Sequence, residues 1–133
     1  MREIKFRGKR LDNGEWVYGD YHHRAGGVHC IIDMQPDFQG KVVYVVIQVD
    51  ADTVSQFTGH HDLNDKRIYE GDIVKFTAHD ALGNELGNQQ GVVNFKFGSY
   101  LIGGYNMYDI LLNDDEAEIV GNIHDNPELL KSL

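Results

Sequence analysis

The sequence predicts an all-β protein of short antiparallel strands, and three observations support this fold class. Stretches such as "EIKFR" and "GVVNFKF" alternate apolar and polar residues with the period of a strand. Glycine and asparagine interrupt these stretches at intervals close to the roughly 8 to 12 residues typical of sandwiches and barrels. Very little of the chain has the apolar spacing of an amphipathic helix.

The N-terminal half predicts two pairs of strands. Asn13-Gly14 is a strong hairpin signal, and the aromatic stretch from Trp16 to Tyr21 continues as the second strand. "VHCIID" and "KVVYVVIQV" predict two more strands. Because residues 42–49 form an unbroken apolar run, we expect either a central strand buried on both faces or a strand covered by a partner subunit. "DADTVSQFTG" fits both a short strand and a capped helical turn.

The C-terminal half predicts strands at "DIVKF" and "GVVNFKF", joined by a long exposed loop, "TAHDALGNELGNQQ". Two or three further short strands are expected in "SYLIGGYNMYDILL" and "AEIVGNI", with breaks at Gly103-Gly104 and at residues 113–115. In "DNPELLKSL", Asn126 can cap and Pro127 suits the first position of a short C-terminal helix. We expect two tightly associated subdomains, residues 1–66 and 67–133.

Composition predicts a folded cytoplasmic protein. The 133 residues are 41% hydrophobic and 25% charged, and no apolar run approaches the ~20 residues that span a bilayer. No secretory signal is recognised, and the single cysteine cannot form an internal disulfide. We therefore expect no membrane association.

The charge distribution favours a protein partner over nucleic acid. The net charge is -9, whereas duplex binding depends on neutralising many phosphates. Basic residues gather near the N-terminus, and "LLNDDEAEIVGNIHDNPELL" has acidic residues but no lysine or arginine. This asymmetry is more typical of an interaction surface, or of two ends of the chain that neutralise each other, than of a nucleic-acid site. The expected basic part of that surface is Lys5, Arg7, Lys9 and Arg10.

A metal site is a third hypothesis, centred on His60, His61 and Asp62. Consecutive residues of a strand point to opposite faces, and no further ligands follow at the spacing of a zinc site. An ion held across strands with His22 stays an open alternative. The sequence therefore predicts no metal site and no cofactor.

No set of residues predicts catalysis. Cys30 lies in an apolar strand, where cysteine behaves as a small hydrophobic residue. Glu70 and Asp72 in "YEGD" are carboxylates that a barrel rim can present for acid-base chemistry. The alternative is a tight turn made by Gly71, whose backbone Asp72 binds. We expect this turn, and we include Tyr69, Glu70 and Asp72 in the interaction surface.

An aromatic stretch, "FKFGSYLIGGYNMY", has two alternative interpretations. Aromatic side chains near a lysine can stack single-stranded bases, whereas aromatic residues in strands are more often core or protein interface. We expect the protein interface.

Three blocks of the chain resemble the YopX family of small proteins encoded by bacteriophages and prophages. They are "REIKFRGKRLDNGEWVYGD", "DTVSQFTG" leading into "DLNDKRIYEGDIVKF", and "IVGNIHDNPELL". The resemblance implies an all-β fold whose C-terminal part is an SH3-like small barrel, and it implies no established chemistry. Family members tend to read Gly-Leu-Lys-Asp-x-Asn-Gly-Lys where this chain has His60, His61 and, in place of the turn glycine, Asp65.

The expected function is therefore that of a phage or prophage accessory protein. We expect it to be non-catalytic and to bind another protein or itself. A nucleic-acid-associated module is the alternative, and a metal-dependent enzyme is the third hypothesis.

Overall fold

The computed structural model describes residues 3–113 and 116–133, and most of their regular structure is β-strand, as predicted. The strands are β1 Phe6–Lys9, β2 Trp16–Arg24, β3 Val28–Pro36, β4 Val42–Gln48, β5 Ser55–His61, β6 Arg67–Tyr69, β7 Asp72–His79, β8 Glu85–Lys96, β9 Ser99–Ile102, β10 Tyr105–Asn106 and β11 Glu118–Asn122. The helical segments are the α-helix α1 Met107–Asn113 and two 3-10 segments, Ala51–Thr53 and Pro127–Ser132. The all-β prediction is confirmed.

The chain divides into two compact units, Met1–Phe57 and Thr58–Leu133. The boundary lies within β5. The boundary expected from the sequence, between residues 66 and 67, lies in the turn before β6.

The first unit contains an antiparallel sheet in the order β4-β3-β2-β1-β5. The predicted hairpin at Asn13-Gly14 joins β1 to β2, where Lys9 pairs with Trp16. Gly14 has a φ of 74°, a left-handed conformation that glycine adopts without strain. Ile31, Ile47 and Val49 form the buried core of this unit.

Strand β4 is an edge strand, so the central position expected for residues 42–49 is wrong. Its neighbour in the sheet is β3, which pairs with it from Cys30 opposite Gln48 to Pro36 opposite Val42. An unbroken apolar run does not distinguish a strand buried on both faces from an exposed edge, because periodicity carries no information about neighbours. The second expectation, cover by a partner subunit, stays a prediction.

The ambiguous segment at residues 50–59 contains both of the expected structures. Asp50 caps the 3-10 segment, its carboxylate accepting a hydrogen bond from the amide of Asp52 at 3.1 Å. Strand β5 begins directly afterwards, at Ser55.

The second unit contains the end of β5 beside β6, and an antiparallel sheet in the order β10-β9-β8-β7-β11. Its buried core contains Ile68, Val74, Phe76, Ala78, Val93, Ile102, Met107, Ile110 and Ala117. The sheet is open over the described residues, so the SH3-like barrel stays a prediction.

The long exposed loop expected at residues 77–90 is wrong, because this segment forms the ends of β7 and β8. The two strands pair from Ile73 opposite Val92 to His79 opposite Glu85. A tight turn joins them, in which the Asp80 carboxylate accepts from the amides of Leu82 and Asn84, each at 2.9 Å. Backbone pairing needs no apolar side chains, so a polar segment can continue a hairpin whose base is held in the core.

The C-terminal segments differ in detail from the expectation. Gly103-Gly104 forms the expected break, between β9 and β10. The break at residues 113–115 includes Asp114 and Asp115, which lie outside the described residues. Helix α1 was not predicted from the sequence; it forms because Met107, Ile110 and Leu111 have helical spacing and pack on the core.

The predicted terminal helix is a 3-10 helix that begins with Pro127, as expected. Asn126 occupies the cap position, but its side chain makes no cap hydrogen bond. The side-chain oxygen Oδ1 of Asn126 instead accepts a hydrogen bond from the backbone amide of Asn122 at 3.2 Å. Within the described part of the chain, no helix is long and apolar enough to cross a membrane.

Candidate interaction surface

One face of the β3–β4 hairpin is exposed on the first unit. In an antiparallel pair, side chains of directly opposed residues lie on the same face. Met34 opposes Tyr44, Ile32 opposes Val46, and Pro36 opposes Val42. Of these side chains Met34 is 62% exposed, Val42 63%, Tyr44 72% and Val46 46%. We call Met34, Val42, Tyr44 and Val46 the β4 apolar face.

Over the described residues, no strand pairs with the outer edge of β4. The amide of Val49 donates to the carbonyl of His29 in β3 at 2.9 Å, so the odd-numbered residues of β4 direct their backbone groups toward β3. The backbone groups of Val42, Tyr44 and Val46 therefore point away from the sheet. At Gln48 the carbonyl accepts from the amide of Leu11 at 3.2 Å, so the open edge ends there.

Most side chains of the expected basic surface contact other residues of the first unit. Arg7 is 5% exposed, and its Nε donates to the Ser55 hydroxyl at 3.1 Å. The Arg7 guanidinium lies 4.5 Å from the centre of the Trp16 ring, and the Lys9 ammonium lies 5.4 Å from it. Both contacts are cation–π interactions. Lys5 is half-buried.

Arg10 is neutralised by a neighbour. Its Nε and one terminal nitrogen donate to the two oxygens of Asp12, each at 2.8 Å. This hydrogen bonding lowers the pKa of Asp12 and raises that of Arg10. The burial of Arg7 and the pairing of Arg10 make these two arginines poorly available for phosphate binding.

The "YEGD" residues form the expected turn. Gly71 has a φ of 88°, and the Asp72 carboxylate accepts from the amide of Tyr69 at 2.8 Å. Tyr69 is 3% exposed and Asp72 is 2% exposed, whereas Glu70 is half-buried. The structure thus places Tyr69 and Asp72 in the interior of the second unit, where they hold the entrance to β7.

Asp62 binds backbone amides. One carboxylate oxygen accepts from Asn64 and Lys66, each at 2.9 Å, and the other accepts from Ile119 at 3.1 Å. The side chain is 7% exposed. Both oxygens of this carboxylate are thus occupied by the turn between β5 and β6 and by β11.

The adjacent histidines lie on β5, where His60 is half-buried and His61 is exposed. Burial, and secondarily the charge of His61, lowers the pKa of His60. Over the described residues, no group of three or more His, Cys, Asp or Glu side chains is arranged to hold a metal ion.

Asp65 has a φ of 60°, the left-handed conformation that favours glycine. It lies in the turn closed by Asp62, where its amide donates to the Asp62 carbonyl at 3.0 Å. The expectation that Asp65 takes the position of a turn glycine is confirmed.

The aromatic stretch forms the β8–β9 hairpin. Phe95 and Tyr100 oppose each other and pack edge to face, with ring centres 5.0 Å apart. Phe97 sits at the tip with a φ of 53° and is 92% exposed, and the Lys96 ammonium lies 5.3 Å from its ring. The hairpin therefore presents an aromatic tip beside one cation.

One exposed phenylalanine was not singled out from the sequence, Phe38. It lies in a turn and is followed within two residues by a glycine. An aromatic residue between turn formers is the signal that identifies it, because turns keep side chains out of the core.

Comparisons with known proteins identify the family. No curated protein matches the chain. The crystal structure of protein EF1440 from Enterococcus faecalis is similar, with 20% identity and a TM-score of 0.59 over 98% of this chain and 99% of that one. At this identity the similarity concerns the fold alone. The family model described as YopX protein matches residues 5–131, and the chain therefore belongs to the YopX family.

Proposed function

We propose that this chain is a non-catalytic protein-binding module of phage or prophage origin that works in the bacterial cytoplasm. The β4 apolar face is the observation that carries the proposal. Four large side chains, each at least 46% exposed, lie together on neighbouring strands. Contiguous exposed apolar surface of this kind is typical of protein interaction sites.

The electrostatics of the first unit favour a protein over a nucleic acid as the partner. Arg7 and Lys9 contact Trp16, and Arg10 pairs with Asp12. The strand from Val42 to Gln48 carries no charge. An uncharged apolar surface suits a partner that supplies apolar contacts, as a protein does. The same surface offers no cations to phosphates, and the chain as a whole has a net charge of -9.

The proposal extends to the fold of the second unit, as an SH3-like small barrel. Five consecutive strands, β7 to β11, form its antiparallel sheet. The pairing of β7 shifts register twice, between Ile119 and Gly121 in its pairing with β11 and between Ala78 and His79 in its pairing with β8. Such irregularities bend strands, and a small barrel requires bent strands.

The test is an affinity purification from lysogenic or phage-infected cells, with and without nuclease treatment. We expect protein partners that survive nuclease and are lost with the double variant Met34→Ser, Tyr44→Ser. Leu82→Ser is the matched control, because Leu82 is also an exposed apolar side chain, at 87%, but lies in the β7–β8 turn. Binding that is unaffected by the double variant would contradict the proposal.

A nucleic-acid-associated module is the second candidate, and the aromatic tip of the β8–β9 hairpin favours it. Phe97 is almost fully exposed beside Lys96, an arrangement that can stack an unpaired base. The same purification separates the candidates. Partners that are lost on nuclease treatment, and are absent with Phe97→Ala, would support this second function instead.

A further inference from the structure

The two ends of β4 carry complementary features. At the start of the strand, Phe38 projects from the β3–β4 turn and is 96% exposed. At the other end, residues 10–12 and 45–48 line a groove of about 310 Å³. That volume is near the lower limit of pockets that bind small ligands or large side chains.

The projecting turn is held by its own hydrogen bonds. The Asp37 carboxylate accepts from the amides of Gln39 and Lys41, each at 2.9 Å, and the Asp37 amide donates to the Lys41 carbonyl at 2.7 Å. Phe38 lies inside this closed turn. The backbone that carries Phe38 is therefore held in place before any partner binds, which reduces the backbone entropy lost on binding.

The edge between the turn and the groove can accept another strand. The backbone groups of Val42, Tyr44 and Val46 point outward, as described above. Residues 42–47 contain no charge, no proline and no bulge, the features by which proteins usually protect an edge strand from pairing.

We propose that two copies of this chain pair along β4, antiparallel, with Tyr44 opposite Tyr44 at the two-fold axis. This inference rests on the proposed protein-binding function and names the partner of the same surface. In this register Val42 of one copy opposes Val46 of the other. The outward backbone groups of Val42, Tyr44 and Val46 are then all paired across the interface.

The antiparallel direction follows from where the two features lie. It places Lys41 of one copy opposite Ile47 of the other, so the turn that carries Phe38 reaches the end of β4 that carries the groove. Phe38 then fills the groove beside Leu11, and the two-fold axis repeats the contact. A parallel arrangement would bring the two turns together and leave both grooves empty.

Charge supports a second copy as the occupant. Each chain carries a net charge of -9, which opposes association in general. The β4 edge is neutral from Val42 to Gln48, and Arg10 beside the groove is paired with Asp12. The paired strands therefore bring no like charges together.

The experiment is sedimentation velocity of the full chain over a concentration series. We expect a monomer–dimer equilibrium whose dissociation constant rises at least about tenfold in Phe38→Ser, the loss expected for a buried aromatic anchor. Tyr44→Pro should abolish the dimer, because it removes the amide at the two-fold axis. Leu82→Ser is the control that should retain the dimer, because Leu82 is an exposed apolar side chain of the β7–β8 turn and no part of the β4 apolar face.

A cross-linking measurement tests the register independently. Opposed residues in a hydrogen-bonded antiparallel pair have Cα atoms about 5.5 Å apart, within the range that a disulfide can bridge. Tyr44→Cys should therefore form a disulfide-linked dimer under mild oxidation, and Leu82→Cys should not.

Three results would overturn the inference. They are a wild-type chain that stays monomeric at all attainable concentrations, a Phe38→Ser variant with unchanged association, and equal cross-linking of Tyr44→Cys and Leu82→Cys. If the wild type is monomeric while its partners from cells still depend on Met34 and Tyr44, the protein-binding function stands and only the second copy is excluded.

Discussion

At the scale of single residues, the Asp62 carboxylate shows how a side chain of metal-binding type can serve the backbone. It accepts three amide hydrogen bonds, two within its own turn and one from Ile119 in β11. The Asp62 amide also donates to the Lys66 carbonyl at 2.9 Å, and Leu63 donates to Ala117 at 2.9 Å. Asp62 thus joins the β5–β6 turn to the segment that leads into β11.

Replacing Asp62 should destabilise the protein. Asp62→Ala leaves three amides without their carboxylate partner, and we expect the free energy of unfolding to fall by about 2–4 kcal/mol. Asp62→Asn should cost less, because an amide oxygen can still accept within the turn while its NH2 group faces the amide of Ile119. Urea denaturation followed by circular dichroism measures both changes.

Asp65→Gly is the matched control in the same turn. It keeps the carboxylate of Asp62, and it places glycine at a position whose φ of 60° strains other residues. We expect unchanged or slightly raised stability, by up to about 1 kcal/mol. Equal destabilisation by Asp62→Ala and Asp65→Gly would show that any change in this turn is harmful and that the carboxylate has no special role.

At the scale of elements, strand β8 serves two hairpins in succession. Its first part, from Glu85 to Val92, pairs with β7, and its second part, from Val93 to Lys96, pairs with β9. Near the end of the first part, Gly91 passes directly against the backbone of Gly103 in the β9–β10 turn. A β-carbon on Gly91 would lie 2.4 Å from the Gly103 nitrogen and 2.6 Å from its α-carbon.

Gly91→Ala should therefore be strongly destabilising. Backbone atoms cannot move aside as a flexible side chain can, so the β9–β10 turn must separate from β8. We expect a loss of about 3 kcal/mol in the free energy of unfolding, measured by thermal or urea denaturation. Gln89→Ala, an exposed change on the same strand, should stay within about 0.5 kcal/mol of the wild type. A loss as small for Gly91→Ala would contradict the close approach.

At the scale of the whole molecule, the chain combines a net charge of -9 with seven histidines. His60 is a histidine whose folded environment disfavours the charged form, because burial lowers its pKa. Its unfolded pKa is about 6.5. The unfolded state then binds the proton more readily than the folded state. Well above about pH 6.5, where His60 is neutral in both states, it therefore does not change the free energy of unfolding. As the pH falls from about 6.5 through the folded pKa, protonation of His60 in the unfolded state lowers the free energy of unfolding.

This sign can be measured by comparing the wild type with His60→Gln across pH. The free energy of unfolding of the wild type should fall more steeply than that of the variant below about pH 6.5, and the two curves should run parallel above about pH 7.5. Curves that stay parallel down to pH 5, or a wild type that gains stability relative to His60→Gln on acidification, would show that the pKa of His60 is not lowered.

Local sequence was sufficient to predict those features that depend on neighbouring residues. The Asn13-Gly14 hairpin, the turn at Gly71 with Asp72 on its backbone and the glycine-like conformation of Asp65 all follow from the conformational preferences of a few residues. The all-β class follows from the two-residue period, and the family follows from three sequence blocks in order.

Only the tertiary structure decided which residues those elements expose. The apolar run at residues 42–47 is compatible with a central strand and with an edge strand. It is an edge strand because β4 lies at the end of the sheet, beside β3. Arg7 and Lys9 are basic in the sequence, but pairing of β1 with β2 brings them to Trp16. Exposure and contact between distant residues depend on strand order and register, and no local preference encodes either of them.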